Sequence, residues 1–222
     1  MLSRTIVHTS VHLKLVKVLF IPLVLFFVWS QASAAAPSIN EAAKSGDVGA
    51  IIQALENGVS VEERDERGAT PLINASSYGM GNVVKLLLSK GAEVNAINRG
   101  GFTPLIAVSA LGDVNIVKTL LANGADVNVQ SSGGDVAALW AALNGHADVV
   151  EVLIEKGAKL NVANVNQMTP LHLASANGHV LVVELLLANG ADSTMEDKDG
   201  QTPFQWALSE NRQAVMELLS SQ

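Results

Sequence analysis

At 222 residues, with 14 Lys+Arg against 21 Asp+Glu, the chain carries a net charge of −7. An acidic surface repels phosphate backbones and anionic headgroups, which argues against nucleic acid and anionic lipid as partners. Cysteine is absent, so neither a disulfide framework nor a thiol nucleophile is available.

The first segment stands apart from the rest. Residues 1–17 contain Arg4, Lys14 and Lys17 and no acid; Val18 to Trp29 is apolar; Gln31-Ala32-Ser33-Ala34 then offers a small-x-small site. That order describes a secretory signal peptide. Cleavage is expected after Ala34, giving a leader of residues 1–34 and a mature chain of residues 35–222. The rival reading is an uncleaved inner-membrane anchor. Its apolar core of 12 residues falls short of the roughly 20 needed to span a bilayer. Continuing through the alanines approaches that length, but Ser30, Gln31 and Ser33 dilute it. Either way the remainder is expected across the membrane, periplasmic or secreted. Three basic residues and no acid leave with the leader, so the mature chain carries about −10.

From residue 37 onward the chain repeats with a period of 33. Thr70, Thr103, Val136, Thr169 and Thr202 share one position. Gly79, Gly112, Gly145 and Gly178 share another, which Asn211 fills in the last copy. Gly58, Gly91, Gly124, Gly157 and Gly190 share a third. Six units are expected, starting near 37, 70, 103, 136, 169 and 202. A period of this length marks a stacked helical repeat, in which each unit buries its apolar face only against its neighbours.

Residues 65–98 show how one unit is built. Asp65-Glu66-Arg67-Gly68 is a turn. Thr70 can cap a helix, and Pro71 suits its first position because the missing N–H costs nothing there. Leu72 and Ala75 face inward, and Gly79 ends the helix in a left-handed conformation. A second helix begins near Gly81-Asn82, carries Val83, Val84, Leu87 and Leu88, and stops at Gly91.

These motifs resemble the ankyrin repeat. Thr169-Pro170-Leu171-His172-Leu173-Ala174 matches its best-known hexapeptide and Gly124-Ala125-Asp126-Val127-Asn128 its second motif, with Thr70-Pro71-Leu72 and Thr103-Pro104-Leu105 as close copies. The resemblance covers residues 37–222. It implies an all-α solenoid of helix-turn-helix units joined by short β-hairpin loops, and a protein-binding role exercised through a concave face. It also implies that His172 hydrogen-bonds backbone between units.

Departures from the pattern are informative. The first and last units are polar and read as caps. The fourth, Val136-Ala137-Ala138-Leu139-Trp140, lacks Thr, Pro and the inward Leu. Asp135 is the candidate substitute cap, and Ala138 leaves room that a bulky neighbour could fill.

Where the resemblance puts the concave face, the exposed positions of the first helices and the loop tips give the candidate partner-binding residues. They are Asn74, Tyr78, Arg99, Phe102, Leu111, Trp140, Leu143, Asn144, Leu173 and Asn177. Aromatic anchors concentrate binding energy, and Tyr78, Phe102 and Trp140 all fall on or beside this strip. Trp140 has a second reading, in which it repacks the space above Ala138.

Catalytic chemistry finds no support. His146 and His179 are parallel copies one period apart, which does not converge two imidazoles on a metal. Gly100-Gly101 and Gly133-Gly134 lack the Lys of a phosphate loop. The expectation is a monomeric, non-enzymatic module that binds another protein and needs no cofactor. Two alternatives stay open: a membrane-anchored accessory scaffold for a periplasmic enzyme, for example in stress defence, and a toxin-neutralising or secreted effector protein.

Overall fold

A computed structural model describes residues 37–221, so the leader and its cleavage site lie outside the described residues. These residues form twelve α-helices in chain order. They are α1 (Ile39–Ser45), α2 (Val48–Glu56), α3 (Pro71–Ser77), α4 (Gly81–Ser89), α5 (Pro104–Leu111) and α6 (Val114–Ala122). After them come α7 (Ala137–Leu143), α8 (Ala147–Glu155), α9 (Pro170–Asn177), α10 (Val180–Ala188), α11 (Pro203–Ser209) and α12 (Gln213–Ser220). Helices pair along the chain, α1 with α2 through to α11 with α12. Each first helix packs on the first helix of the next pair, and the second helices follow the same order more thinly.

Local chemistry starts each first helix. The hydroxyls of Thr70 and Thr103 accept the amides of Ile73 and Ile106 at 3.3 and 3.1 Å. Thr169 and Thr202 complete capping boxes with His172 and Gln205. A proline stands in the first turn of all four of these helices. The fourth pair differs. Val136 occupies the cap position with no side-chain bond, and Asp135 does not substitute as expected. Its Oδ1 instead accepts the Asn164 amide at 3.0 Å, because the carboxylate points along the loops rather than back at the helix.

Burial follows the periodicity. Leu72, Leu87, Leu105, Leu120, Leu153, Leu171 and Leu186 are shut away from solvent together with the valine pairs 83/84, 149/150 and 182/183. Each such leucine contributes roughly 1.5–3 kcal/mol on leaving water. Ala138 and Leu139 are buried in α7 as well.

The expected β-hairpins are not formed: among the described residues there is no strand. Each loop is closed instead by two backbone bonds to its head residue, such as Asp65 N to Ala69 O at 3.0 Å with Gly68 N to Asp65 O at 2.8 Å, and Asn164 N to Met168 O at 3.1 Å with Gln167 N to Asn164 O at 2.8 Å. A side-chain acceptor at the head of the loop holds two further amides. Asp65 takes those of Arg67 and Ala69, and Asn98 takes those of Gly100 and Phe102. Neighbouring loops then join by one backbone bond each, among them Arg99 N to Arg67 O at 3.1 Å and Ser132 N to Gly100 O at 2.9 Å. One bond per boundary does not build a ladder. The tight bend needs a left-handed residue, supplied by Gly68, Gly101, Gly134 and Gly200 but by Gln167 at φ 58° in the fourth loop of the series.

The far ends of the pairs are clamped by asparagines. Asn95 accepts the Asp126 amide at 2.9 Å and donates to the Gly124 carbonyl at 3.1 Å, both in the following pair. Asn128 and Asn161 repeat this on Lys159 with Gly157 and on Asp192 with Gly190. Glu62 stands where the first asparagine of that series would be. Its Oε1 accepts the Glu93 amide at 2.8 Å, and its buried Oε2 has no partner among the described residues.

His172 ties two pairs together, as the resemblance implied. Its Nδ1 accepts the Thr169 amide, and its Nε2 donates to the Gln201 carbonyl at 3.1 Å. The bond accepted by Nδ1 needs the neutral ring. Burial pushes its pKa below the usual 6.5, outweighing the opposing pull of the Gln201 carbonyl and Asp197. The unfolded chain therefore takes up a proton at higher pH than the folded one. Stability is complete above about 6.5 and falls as the pH drops below it. Melting temperature is expected to fall between about pH 7.5 and about pH 5, and His172→Gln to flatten that slope. Gln205 already makes the same cap in the last pair, so the variant keeps the helix start while removing the titration.

Candidate protein-binding strip

The strip is set by what ends each first helix. Gly79, Gly112, Gly145 and Gly178 all have positive φ, so the residue before each is thrust out at the helix end. Tyr78 and Leu111 are 56% and 46% exposed, and Asn144 and Asn177 are exposed beside them. Leu111 leans across the gap between pairs: a Cβ on Gly79 would lie 3.1 Å from its Cδ2. Asn144 bridges in the same direction, donating to the Ala110 carbonyl at 3.1 Å, whereas Asn177 bonds its own helix at Leu173. At the loop tips Arg99 is exposed, with its stem packed over Gly68.

Phe102 and Trp140 meet across two pairs. Their ring centroids are 5.6 Å apart with planes tilted by 55°, within the range of favourable aromatic pairs. Both are half-buried, as are Leu143 and Leu173.

Asn74 departs from the strip. It is buried at 6% exposure, and its amide is spent on Asn40 Oδ1 at 2.8 Å and Asp65 Oδ2 at 3.1 Å. Beside it lies a groove of about 660 Å³ whose walls include Lys44, Asp65, Arg67 and Tyr78. Burial would raise the Asp65 pKa. Hydrogen bonds from Asn74 and the amides of Ala69 and Arg67, with Lys44 nearby, outweigh it and hold the carboxyl below its usual value.

Asp65 and Asn74 are nine residues apart, and the same spacing recurs. Trp206 donates its indole N–H to Asp197 Oδ2 at 2.7 Å, so Trp206 is tethered inside the fold. Trp140 holds the equivalent position, but its partner position is Ser131. That hydroxyl is taken up by the amides of Gly133 and Asp135. The Trp140 Nε1 is consequently buried without an acceptor among the described residues. Sequence reasoning missed this pairing, although its signal was present: Asp stands nine residues ahead of the donors Asn74 and Trp206, and Asn ahead of Ala107 and Leu173.

The other two histidines among the described residues serve the backbone. Nε2 of His146 and of His179 donate to the carbonyls of Ala110 and Leu143 at 3.2 and 3.0 Å. Among the described residues no group of three or more His, Cys, Asp or Glu converges on a point where a metal could sit.

A family model described as ankyrin repeats matches in three copies, over residues 39–131, 106–197 and 138–222. No curated protein matches the chain.

An unmade hydrogen bond on a buried donor costs about 1–3 kcal/mol. Supplying the acceptor is expected to recover part of it. Because Asp135 lies close to Ser131, the informative variant combines Ser131→Asp with Asp135→Asn, which avoids pairing two carboxylates. Chemical denaturation should show a gain of roughly 1 kcal/mol, and the gain should vanish when Trp140 is replaced by Phe.

Proposed function

Because the chain belongs to the ankyrin repeat family, whose members are generally non-catalytic protein–protein interaction modules, we propose that it is a six-unit array that grips one partner protein in the periplasm. The observation that carries this reading is the row of side chains thrust out where first helices end. Tyr78 and Leu111 lie exposed in consecutive pairs, and the half-buried Phe102–Trp140 pair and the exposed Arg99 add further anchors of the same array. Monomeric proteins seldom leave contiguous apolar surface without a use, and interfaces draw much of their energy from a few Trp, Tyr and Arg side chains.

Rigidity supports the same reading. The row is held by hydrogen bonds that cross every boundary, so little ordering entropy is lost on docking, and modest contacts can give useful affinity. The unbonded indole N–H of Trp140 is the exception. Its N–H regains an acceptor if the ring turns outward to a partner carbonyl or carboxylate.

Periplasmic location rests on the basic start, the apolar run and Ala32-Ser33-Ala34. Retention of the leader would favour the tethered scaffold, and recovery from culture medium the effector.

Two measurements test the proposal. Affinity capture from a periplasmic extract should retain a partner on the wild-type chain and lose it with a Tyr78→Ala/Trp140→Ala double variant. Truncating either anchor should cost about 2 kcal/mol of binding, and Tyr78→Ala, at a largely exposed ring, should leave the melting temperature little changed. Lost stability with capture intact would instead assign these rings to packing. Sequencing the N-terminus from envelope fractions should return Ala35; intact Met1 in the membrane pellet would refute cleavage.

A further inference from the structure

The described residues contain five Asn-Gly dipeptides, at Asn57, Asn123, Asn144, Asn177 and Asn189. Asn-Gly is the sequence most prone to spontaneous deamidation, because glycine's bare backbone leaves its nitrogen free to attack. All five asparagines are exposed, so exposure does not rank them. Nor does the glycine amide: each donates three residues back at 3.0–3.3 Å, from Gly58 to Leu55 and equivalently at the other four sites, Gly178 sharing its N–H with the Ala174 carbonyl as well.

The surroundings divide them. Gly58, Gly124 and Gly190 follow second helices, and a Cβ built on any of them meets nothing within 4 Å. Gly145 and Gly178 follow first helices, where the next pair closes over them. The same Cβ would meet His179 Nδ1 at 2.6 Å and Arg212 Cδ at 2.9 Å. These lids are bonded down, His179 to the Leu143 carbonyl at 3.0 Å and Arg212 to the Ala176 carbonyl at 2.9 Å.

The asparagine amides add a second ranking. Asn123, Asn177 and Asn189 each bond the carbonyl four residues back, and Asn144 bonds both Trp140 and Ala110. Asn57 makes no side-chain bond among the described residues, although its own turn has the same shape.

We propose that Asn57, Asn123 and Asn189 are deamidation sites of the folded protein, with Asn57 first, and that His179 and Arg212 lock Asn144 and Asn177 against the same reaction. In the reaction the glycine nitrogen attacks Cγ of the asparagine. The new C–N bond closes a five-membered succinimide while the Cγ–Nδ2 bond breaks, and Nδ2 leaves as ammonia, carrying the proton lost by the glycine amide. Water then opens the ring at either carbonyl and gives aspartate or the β-linked isoaspartate. Ring closure requires the glycine peptide to swing, which the open turns permit and the lids oppose. The ends of the second helices would gain negative charge with age, while the strip around Asn144 and Asn177 keeps its neutral amides.

Asn123, Asn177 and Asn189 share the flanks Ala-Asn-Gly, which supplies an internal control. The purified mature chain is aged in mildly alkaline buffer, with and without denaturant, and peptides are mapped for the exchange of NH₂ by OH. In denaturant the three should react at one rate. In the folded chain Asn177 should lag Asn123 and Asn189 by roughly tenfold or more, since it must await a local opening. Arg212→Ala should raise the rate at Asn177 severalfold and leave Asn123 unchanged. If that variant loosens the terminal pair, His179→Ala repeats the test at Asn144 inside the stack. Equal rates at Asn123 and Asn177 in the folded chain, or no rise at either locked site in its variant, would overturn the proposal.

Discussion

Each pair of helices in this protein is finished by its neighbour. A first helix ends on a left-handed glycine, and the groove this opens is filled from the following pair. Gly112 has φ +87°, and a Cβ there would lie 2.5 Å from His146 Nδ1. The same imidazole gives up the chance to cap its own helix and donates to the Ala110 carbonyl in the pair before. Conformation, packing and hydrogen bonding thus coincide at one point on each of the last three boundaries, where His146, His179 and Arg212 reach back to the carbonyls of Ala110, Leu143 and Ala176. Inserting a single residue between Gly112 and His146 would break all three at once, which explains a period of 33 without slippage. Small core helices of seven to nine residues have little stability alone; their persistence is a property of the stack.

This dependence also explains how the protein manages without cysteine. A disulfide would restrict the unfolded chain. Here asparagines 95, 128 and 161 each bind two backbone groups of the next pair, loop amides pass one bond to the next loop, and His172 joins Thr169 to Gln201. Their partners are mostly backbone, so surface side chains are free to vary without loosening the array. That separation lets one scaffold carry Tyr, Leu and Asn in turn at equivalent helix ends.

Much of the fold was legible because its signals are local. Thr-Pro marks helix starts, glycine marks helix ends, and both recur at fixed intervals, so helix positions came out within a residue or two. Where the reading failed, the cause was a contact across a boundary. Asn74 reads as a surface amide in its own unit, yet Asn40 and Asp65 seal it from two directions. Asp135 reads as a cap, but Asn164 in the next loop claims its carboxylate. The hairpins expected of the loops reduce to tight turns, because a side-chain acceptor at each loop head takes the amides that a longer strand pairing would use. The exposed helix ends were legible as positions, since they can be counted from the glycines; which of the nearby rings are tethered was not, because the tether depends on a residue nine positions earlier.

Trp140 shows what the array gives up at that one place. Two other pairs solve the same problem by setting an aspartate nine residues ahead of a donor, and both keep that donor bonded. The fourth pair lacks the aspartate, the threonine cap and the proline together, and leaves an indole N–H unmatched. Local choices that agree elsewhere conflict here, and such conflicts in a natural sequence concentrate where function competes with stability. A tethered indole would be the cheaper solution for packing alone. On the proposed reading, an untethered one packed on Phe102 is matched only when a second molecule supplies the missing acceptor.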